Sequence, residues 1–272
     1  MANPFLNDKA IGEASKAGWA APEPSTQVLG PARTPIDDGP ISSWAPRVMT
    51  VGGTITATGV LMAILLVSAA FGWNATPDAP PGQTPPMPGL AIVGILVGFV
   101  CAIAVHFKPM MSKWLGPVYA VAQGFFLGAI SKAYNEWQSG IVMQAVGATL
   151  GVFLVMLVLY RTQIIKVTDR FRRTIITATI GLMVFYLFSL VLSLFGATPS
   201  FINEPSLLGI AFSLFAAGLA AMNLALDFDF IEKGAEQKLP KGMEWFAAFG
   251  LLITLVWLYL ELLRLLSKLN QR

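Results

Sequence analysis

The chain has 272 residues, of which 55% are hydrophobic and 12% are charged, with a formal net charge of +3. Soluble domains are about 25% charged, so this composition excludes an ordinary soluble protein and indicates one integral membrane bundle. The single Cys101 and the single His106 exclude an intrachain disulfide and any metal site built from several Cys or His side chains.

The first 46 residues differ in composition from everything that follows. Pro, Gly and Ser are scattered through residues 1–46, and no apolar period persists. Such a segment cannot bury enough apolar surface to fold, so we predict a disordered cytoplasmic tail. No apolar stretch follows a basic start, which argues against a signal peptide. We therefore divide the chain into a tail, residues 1–46, and a transmembrane domain, residues 47–272.

Long apolar segments fill the rest of the chain. Each has about the 20 residues that a helix needs to cross the hydrocarbon. The apolar runs are continuous rather than alternating, which favours helices over the strands of a membrane barrel. We predict an all-α bundle of seven transmembrane helices, at residues 48–73, 89–107, 114–133, 140–160, 174–196, 206–230 and 243–266.

Basic residues are concentrated in alternate loops, which predicts the orientation of the chain. Loops 74–88 and 197–205 carry no Lys or Arg. Cytoplasmic loops carry the excess of basic residues, so we predict a cytoplasmic N-terminus and, after seven crossings, an external C-terminus. This pattern also accounts for the net positive charge, and we predict no nucleic-acid partner. The basic residues that set the orientation are Arg47, Lys108, Lys113, Arg161, Lys166, Arg170, Arg172, Arg173, Lys233, Lys238 and Lys241.

Glycines four residues apart occur in the second, third and fourth apolar segments. This spacing lines small residues along one helix face and lets neighbouring backbones approach closely. A ligand path along these faces is the alternative interpretation, and packing is the one we favour. The pairs are Gly94 and Gly98, Gly124 and Gly128, and Gly147 and Gly151.

Three carboxylates in the last two segments are the candidate functional residues. Carboxylates within membrane segments are costly and are functional candidates by default. Asp227 is the deepest in the sixth segment, and Glu261 lies well inside the seventh. Asp229 points about 200° away from Asp227 around the helix, so we expect it to be a solvated charge at the helix end. No P-loop, Rossmann, HExxH or GxSxG motif occurs, so we predict no enzymatic activity.

Three stretches give the chain a resemblance to a known family. Residues 116–131 read GPVYAVAQGFFLGAIS, residues 226–234 read LDFDFIEKG, and residues 255–266 read LVWLYLELLRLL. Together with the order of the seven segments, they resemble the Bax inhibitor/YccA family, in its actinobacterial-type branch, over residues 48–266. The resemblance implies two layers of three helices around a central last helix. It also implies a bacterial inner-membrane location.

The resemblance also implies an activity. Bacterial members are similar to pH-sensitive calcium leak channels, in which one aspartate on the sixth helix and one on the seventh share a proton. Other bacterial members are implicated in restraining a membrane protease. The sixth-helix position matches Asp227, which is followed by Ile231. The seventh-helix position is Thr254 or Glu261, depending on which flanking leucines anchor the comparison.

Depth favours Thr254 as the partner of Asp227. In an antiparallel hairpin centred near Lys238, Thr254 and Glu261 lie about 7 Å and about 18 Å deeper than Asp227. Helix tilt can absorb the smaller mismatch. The chain would then lack the second family aspartate, with an ion path running from Asp227 past Thr254 to Glu261.

Two functions follow from these features. The first is a proton-sensitive cation leak without a bound cofactor, in which calcium is the permeant ion and the bilayer is the main partner. The second is a regulator that transports nothing and binds a membrane protease or another membrane complex. A channel should move ions alone in liposomes, whereas a regulator should not.

Overall fold

Seven α-helices build the part of the chain that the computed structural model describes, residues 48–78, 86–195 and 204–271. All seven are long and apolar enough to cross a membrane, which confirms the predicted fold class. A 3₁₀ turn, Pro109–Met111, precedes α3. The predicted tail lies outside the described residues. The helices are α1 (Val51–Ala75), α2 (Gly89–Phe107), α3 (Ser112–Trp137), α4 (Ile141–Arg161), α5 (Asp169–Leu194), α6 (Leu207–Glu236) and α7 (Met243–Leu269).

Hydroxyl side chains begin three of these helices. A Ser or Thr that precedes an apolar run can accept a hydrogen bond from the first turn of the helix, where backbone N–H groups have no intrahelical partner. Thr50, Thr168 and Ser206 occupy this position before α1, α5 and α6. They accept hydrogen bonds from the backbone N–H groups of Gly53, Phe171 and Gly209, at 2.9, 3.2 and 3.0 Å.

The last helix is the centre of the bundle. In the most apolar stretch of α7, 83% of the residues are buried inside the bundle. The corresponding share is 17% in α5, the least buried helix. Helix α7 packs against α1, α3, α4 and α6. Its Phe246, Phe249, Leu252 and Leu258 have no exposed surface. The central last helix implied by the family resemblance is therefore present.

The glycine pairs of α2 and α3 lie at close helix contacts, as predicted. A Cβ atom on Gly128 would meet the backbone carbonyl of Ala69 in α1, and one on Gly124 would meet that of Leu65. Likewise, Gly94 of α2 faces the backbone of α3. Only glycine permits this approach, because any side chain would force the helices apart.

The same prediction is wrong for α4. A Cβ atom on Gly147 or Gly151 would meet nothing within 4 Å, and both residues are exposed. The buried face of α4 instead carries Ala145, Thr149 and Met156. Spacing alone predicts that two glycines share a face, and it does not say whether that face meets a helix or lipid.

The start of the described chain is fixed to the turn between α6 and α7. This turn reverses at Lys238, which has a left-handed φ of 53°. The N–H of Met49 donates to the carbonyl of Leu239 at 2.6 Å, and Val48 bridges to Pro240. We call this end of the bundle the turn end.

Glu244, in the first turn of α7, also holds α1 at the turn end. Its Oε1 accepts hydrogen bonds from the N–H and the Oγ1 of Thr50, at 3.0 and 2.9 Å. A carboxylate is stabilised at the positive N-terminal end of a helix. Glu244 is buried where α1 and α7 both begin. It therefore accepts hydrogen bonds at the start of α1 and places a negative charge at the start of α7.

Candidate functional site

Asp227 is a buried carboxylate within a spanning helix. Helix α6 continues to Glu236, six residues beyond the predicted end of this segment, so Asp227 lies well inside it. Its exposed fraction is 0%. Its neighbours along the helix, Leu224, Ala225 and Phe228, belong to the main hydrophobic core. A carboxylate in such surroundings is costly, and its position calls for a functional explanation.

Thr254 lies at nearly the same depth as Asp227. Asp227 is nine residues before the end of α6, and Thr254 is eleven residues after the start of α7. In this antiparallel pair, a rise of about 1.5 Å per residue leaves a difference in depth of about 3 Å. Thr254 is also buried, and its hydroxyl donates to the carbonyl of Gly250 in its own helix at 3.3 Å.

Glu261 belongs to a different level of the bundle. It is eighteen residues after the start of α7, which places it about 14 Å deeper than Asp227. Its carboxylate accepts hydrogen bonds from the Tyr186 hydroxyl at 2.8 Å and from the Trp257 indole at 3.2 Å. Arg264 lies 3.3 Å from Glu261 Oε2. This separation keeps Glu261 from sharing a proton with Asp227.

Asp229 is buried, and the expectation that it is a solvated helix-end charge is wrong. Only 8% of its side chain is exposed. Its Oδ2 pairs with Arg172 of α5 at 2.6 Å and with Lys233 at 2.9 Å. Helix α6 continues for seven residues beyond Asp229, so Asp229 is not at the helix end, and it faces Arg172 of α5.

Polar side chains on one face of α5 contact buried polar residues at three depths of the bundle. The sequence interpretation did not predict these contacts. We define the α5 stripe as Arg172, Thr179 and Tyr186, which are seven residues apart and so share a face over two turns each. Each member contacts a buried polar residue of α6 or α7. Their partners are Asp229 at 2.6 Å, Asn223 at 3.1 Å and Glu261 at 2.8 Å, respectively. The signal was present in the sequence as polar residues seven positions apart, which a helix places on one face.

A polar cavity lies beside Asp229 at the turn end. Its volume is about 400 Å³, and residues of α4, of the loop after α4 and of α6 line it. Tyr160 of α4 donates a hydrogen bond to Glu232 across it. Glu236 and Lys166 also face this space. The cavity therefore brings acidic groups to one end of α6, on the side where Asp229 is paired.

A buried lysine connects the opposite ends of α6 and α7. Lys268 is 1% exposed, and its ammonium donates to the carbonyl of Gly209 at 3.0 Å and to the hydroxyl of Ser213 at 2.8 Å. Buried cations need such oxygen partners. Lys268 thus connects α7 to α6 through hydrogen bonds. Among the described residues, no group of three or more His, Cys, Asp or Glu side chains is arranged to hold a metal ion.

Seven spanning helices, the last of them buried at the centre of the bundle, define an α-helical multi-pass membrane protein. The sequence model of the family described as Bax inhibitor 1 like matches residues 3–271. The chain belongs to that family, which is not known for enzymatic activity. The match extends beyond residues 48–266, the range of the resemblance that the sequence motifs give. No curated protein in the comparison matches the chain significantly.

Proposed function

We propose that this protein is a slow, proton-sensitive cation leak of the bacterial inner membrane, not an enzyme, with calcium as the permeant ion. One observation carries the proposal: Asp227 is a fully buried carboxylate in a spanning helix, level with the buried Thr254 of the central helix. An ionisable group at this depth marks an ion or proton path by default.

The path begins at the turn end. The polar cavity there is lined by three carboxylates and two lysines and offers a polar entrance, and Asp227 lies five residues before the lining residue Glu232 along α6. Carboxylate and hydroxyl oxygens are the ligands that calcium prefers. Asp227 and Thr254 supply such oxygens in the middle of the path, and Glu261 supplies them further along.

A proton on Asp227 would control the leak. Protonation removes the charge that attracts the cation, and ionisation restores it. The resemblance implies a second aspartate at the position of Thr254 or Glu261, and with Thr254 there the shared proton of the two-aspartate pair would be absent. We therefore expect a weaker pH response than that of a two-aspartate relative, because a carboxylate and a hydroxyl do not repel each other.

The test is calcium flux into liposomes that contain only this protein, measured across a pH series. Asp227→Asn stays neutral at every pH, so its flux curve should be flat where the wild-type curve changes. Glu204→Gln, which removes the charge of an exposed residue outside the helices, is the matched control and should follow wild type. An Asp227→Asn curve that overlies wild type would remove Asp227 from the mechanism.

A regulatory role is the second candidate, and one observation favours it. The residues that follow the tail are held on the α6–α7 turn by the Met49–Leu239 and Thr50–Glu244 hydrogen bonds. A membrane protease or another complex that bound the tail would thereby act on the hairpin that bears Asp227. Liposomes without calcium flux, together with a membrane partner that co-purifies only when residues 1–40 are present, would favour this role.

A further inference from the structure

A groove that faces lipid separates α1 from α4. Its volume is about 680 Å³, within the range of ligand pockets, and residues of α3 and α7 form its floor. On α1 it runs from Thr54 to Trp73, which are nineteen residues apart, or about 28 Å. This length matches the hydrocarbon thickness of about 30 Å. The groove therefore extends through both leaflets.

The hydroxyl groups in the wall of the groove are already satisfied within the protein. Thr54, Thr58 and Thr149 each donate to a carbonyl of their own helix, at 3.0, 2.9 and 2.7 Å. Ser131 and Tyr259 bond to each other at 2.6 Å. The wall carries no charged side chain. An occupant that needed hydrogen bonds would lose them on entering, so the chemistry of the wall selects hydrocarbon.

The groove is continuous with the surface that meets the bilayer. Its rim residues Ile55 and Leu66 on α1 and Leu150 on α4 are 56–66% exposed, as lipid-facing side chains are. A chain of a neighbouring lipid can therefore enter sideways without crossing a polar barrier. The floor residues Leu251 and Leu255 lie on α7, on either side of Thr254 in sequence.

We propose that the groove is a binding site for phospholipid acyl chains, one from each leaflet, which fill the space between α1 and α4 and rest on α7. The site is independent of the cation path. The proposal predicts that phospholipid remains bound to the full chain after detergent extraction. The amount of phospholipid per protein should fall when part of the groove is blocked.

Gly59 provides a way to block the groove. It lines the half nearer the turn end, and a Cβ atom there would meet nothing within 4 Å, so a larger side chain enters the groove without moving the backbone. Ala70 lines the other half. Gly151→Leu is the matched control, because Gly151 is equally open and lies outside the groove.

The experiment measures phospholipid per protein by mass spectrometry of the purified full chain and its variants. We expect Gly59→Leu to retain about half of the wild-type phospholipid, because one leaflet's chain remains. Gly59→Leu combined with Ala70→Leu should lose nearly all of it, and Gly151→Leu should retain the wild-type amount. A thermal unfolding curve for each variant establishes that it is folded.

Three results would overturn the proposal. The first is wild-type protein without bound phospholipid, and the second is free fatty acid in its place. The third is equal retention by the Gly59→Leu and Gly151→Leu variants. A calcium flux that fails in wild-type liposomes would contradict the cation leak and leave this site unaffected, so the two hypotheses are separable.

Discussion

At the scale of single residues, the proposed pH response depends on the side chains at positions 227 and 254. Both side chains are buried at nearly the same depth on adjoining helices. Of these two side chains only that of Asp227 can ionise, so the pair carries at most one negative charge. The family resemblance implies that two aspartates at these levels share one proton, because like charges cannot both ionise readily at close range.

Thr254→Asp should therefore strengthen the pH response of the leak. The second carboxylate would hold a shared proton to a higher pH, so the midpoint of the flux curve should move upward. Thr254→Val, which keeps the shape of threonine and adds no charge, is the control and should keep the wild-type midpoint. The measurement is liposome calcium flux across the same pH series. Equal midpoints for Thr254→Asp and Thr254→Val would exclude Thr254 as the partner of Asp227.

At the scale of helices, close backbone contact and polar pairing hold different parts of the bundle. Helices α1 and α3 meet through glycines, where Gly124 and Gly128 face the α1 backbone. Helix α5 is the least buried span, and it is attached through the α5 stripe to Asp229, Asn223 and Glu261. These two modes of attachment give two different predictions for stability.

Gly128→Ala should destabilise the protein, and Gly151→Ala should not. A Cβ atom on Gly128 would collide with the backbone of Ala69, and overpacking of this kind costs about 1–3 kcal/mol. Gly151 faces open space, and alanine there gains up to about 1 kcal/mol of helix propensity. Thermal unfolding in detergent measures both. Equal unfolding temperatures for the two variants would contradict the close α1–α3 contact.

Arg172→Gln should loosen α5, whereas Arg173→Gln should have little effect. Arg172 pairs with the buried Asp229, and loss of one partner from a hydrogen-bonded charge pair costs about 1–3 kcal/mol. Arg173 is exposed and is the matched control. Adding Asp229→Asn to Arg172→Gln should recover part of the loss, because the buried carboxylate, which Lys233 alone would pair with, is then neutral, and the Lys233 side chain is 40% exposed. A double variant as unstable as the sum of the single variants would show that the pair is not coupled.

The charges of the loops predict the orientation of the whole molecule in the membrane. The basic loops after α2, α4 and α6 alternate with loops 74–88 and 197–205, which carry no basic residue. The positive-inside rule then predicts that the turn end is cytoplasmic. Basic residues near the end of α7 oppose this arrangement, but Lys268 lies in the last turn of α7, is buried against α6 and does not act as a loop charge.

A reporter that is active only in the cytoplasm tests this orientation. Fused after Lys238, in the turn between α6 and α7, it should be active. Fused after Arg272 it should be inactive, because α7 has the length and apolarity of a full crossing. Activity at both positions would mean that α7 does not cross, and inactivity after Lys238 would invert the whole topology.

The sequence by itself determined the properties that depend on neighbouring residues. Length and hydropathy predicted all seven helices, because a backbone in lipid must satisfy its hydrogen bonds within each segment. Depth arithmetic placed Thr254 close to the level of Asp227 and kept Glu261 apart, because the rise along a helix is constant. The motifs of α3, α6 and α7 were sufficient for the family.

The tertiary structure alone decided which helix each face meets. Gly124 and Gly151 belong to the same spacing motif, but one lies against a backbone and the other faces outward. Asp229 was expected in solvent and lies in an ion pair with Arg172, which is 57 residues away along the chain. The rotation of a helix about its axis depends on the shape and polarity of all its neighbours, and no local pattern contains that information.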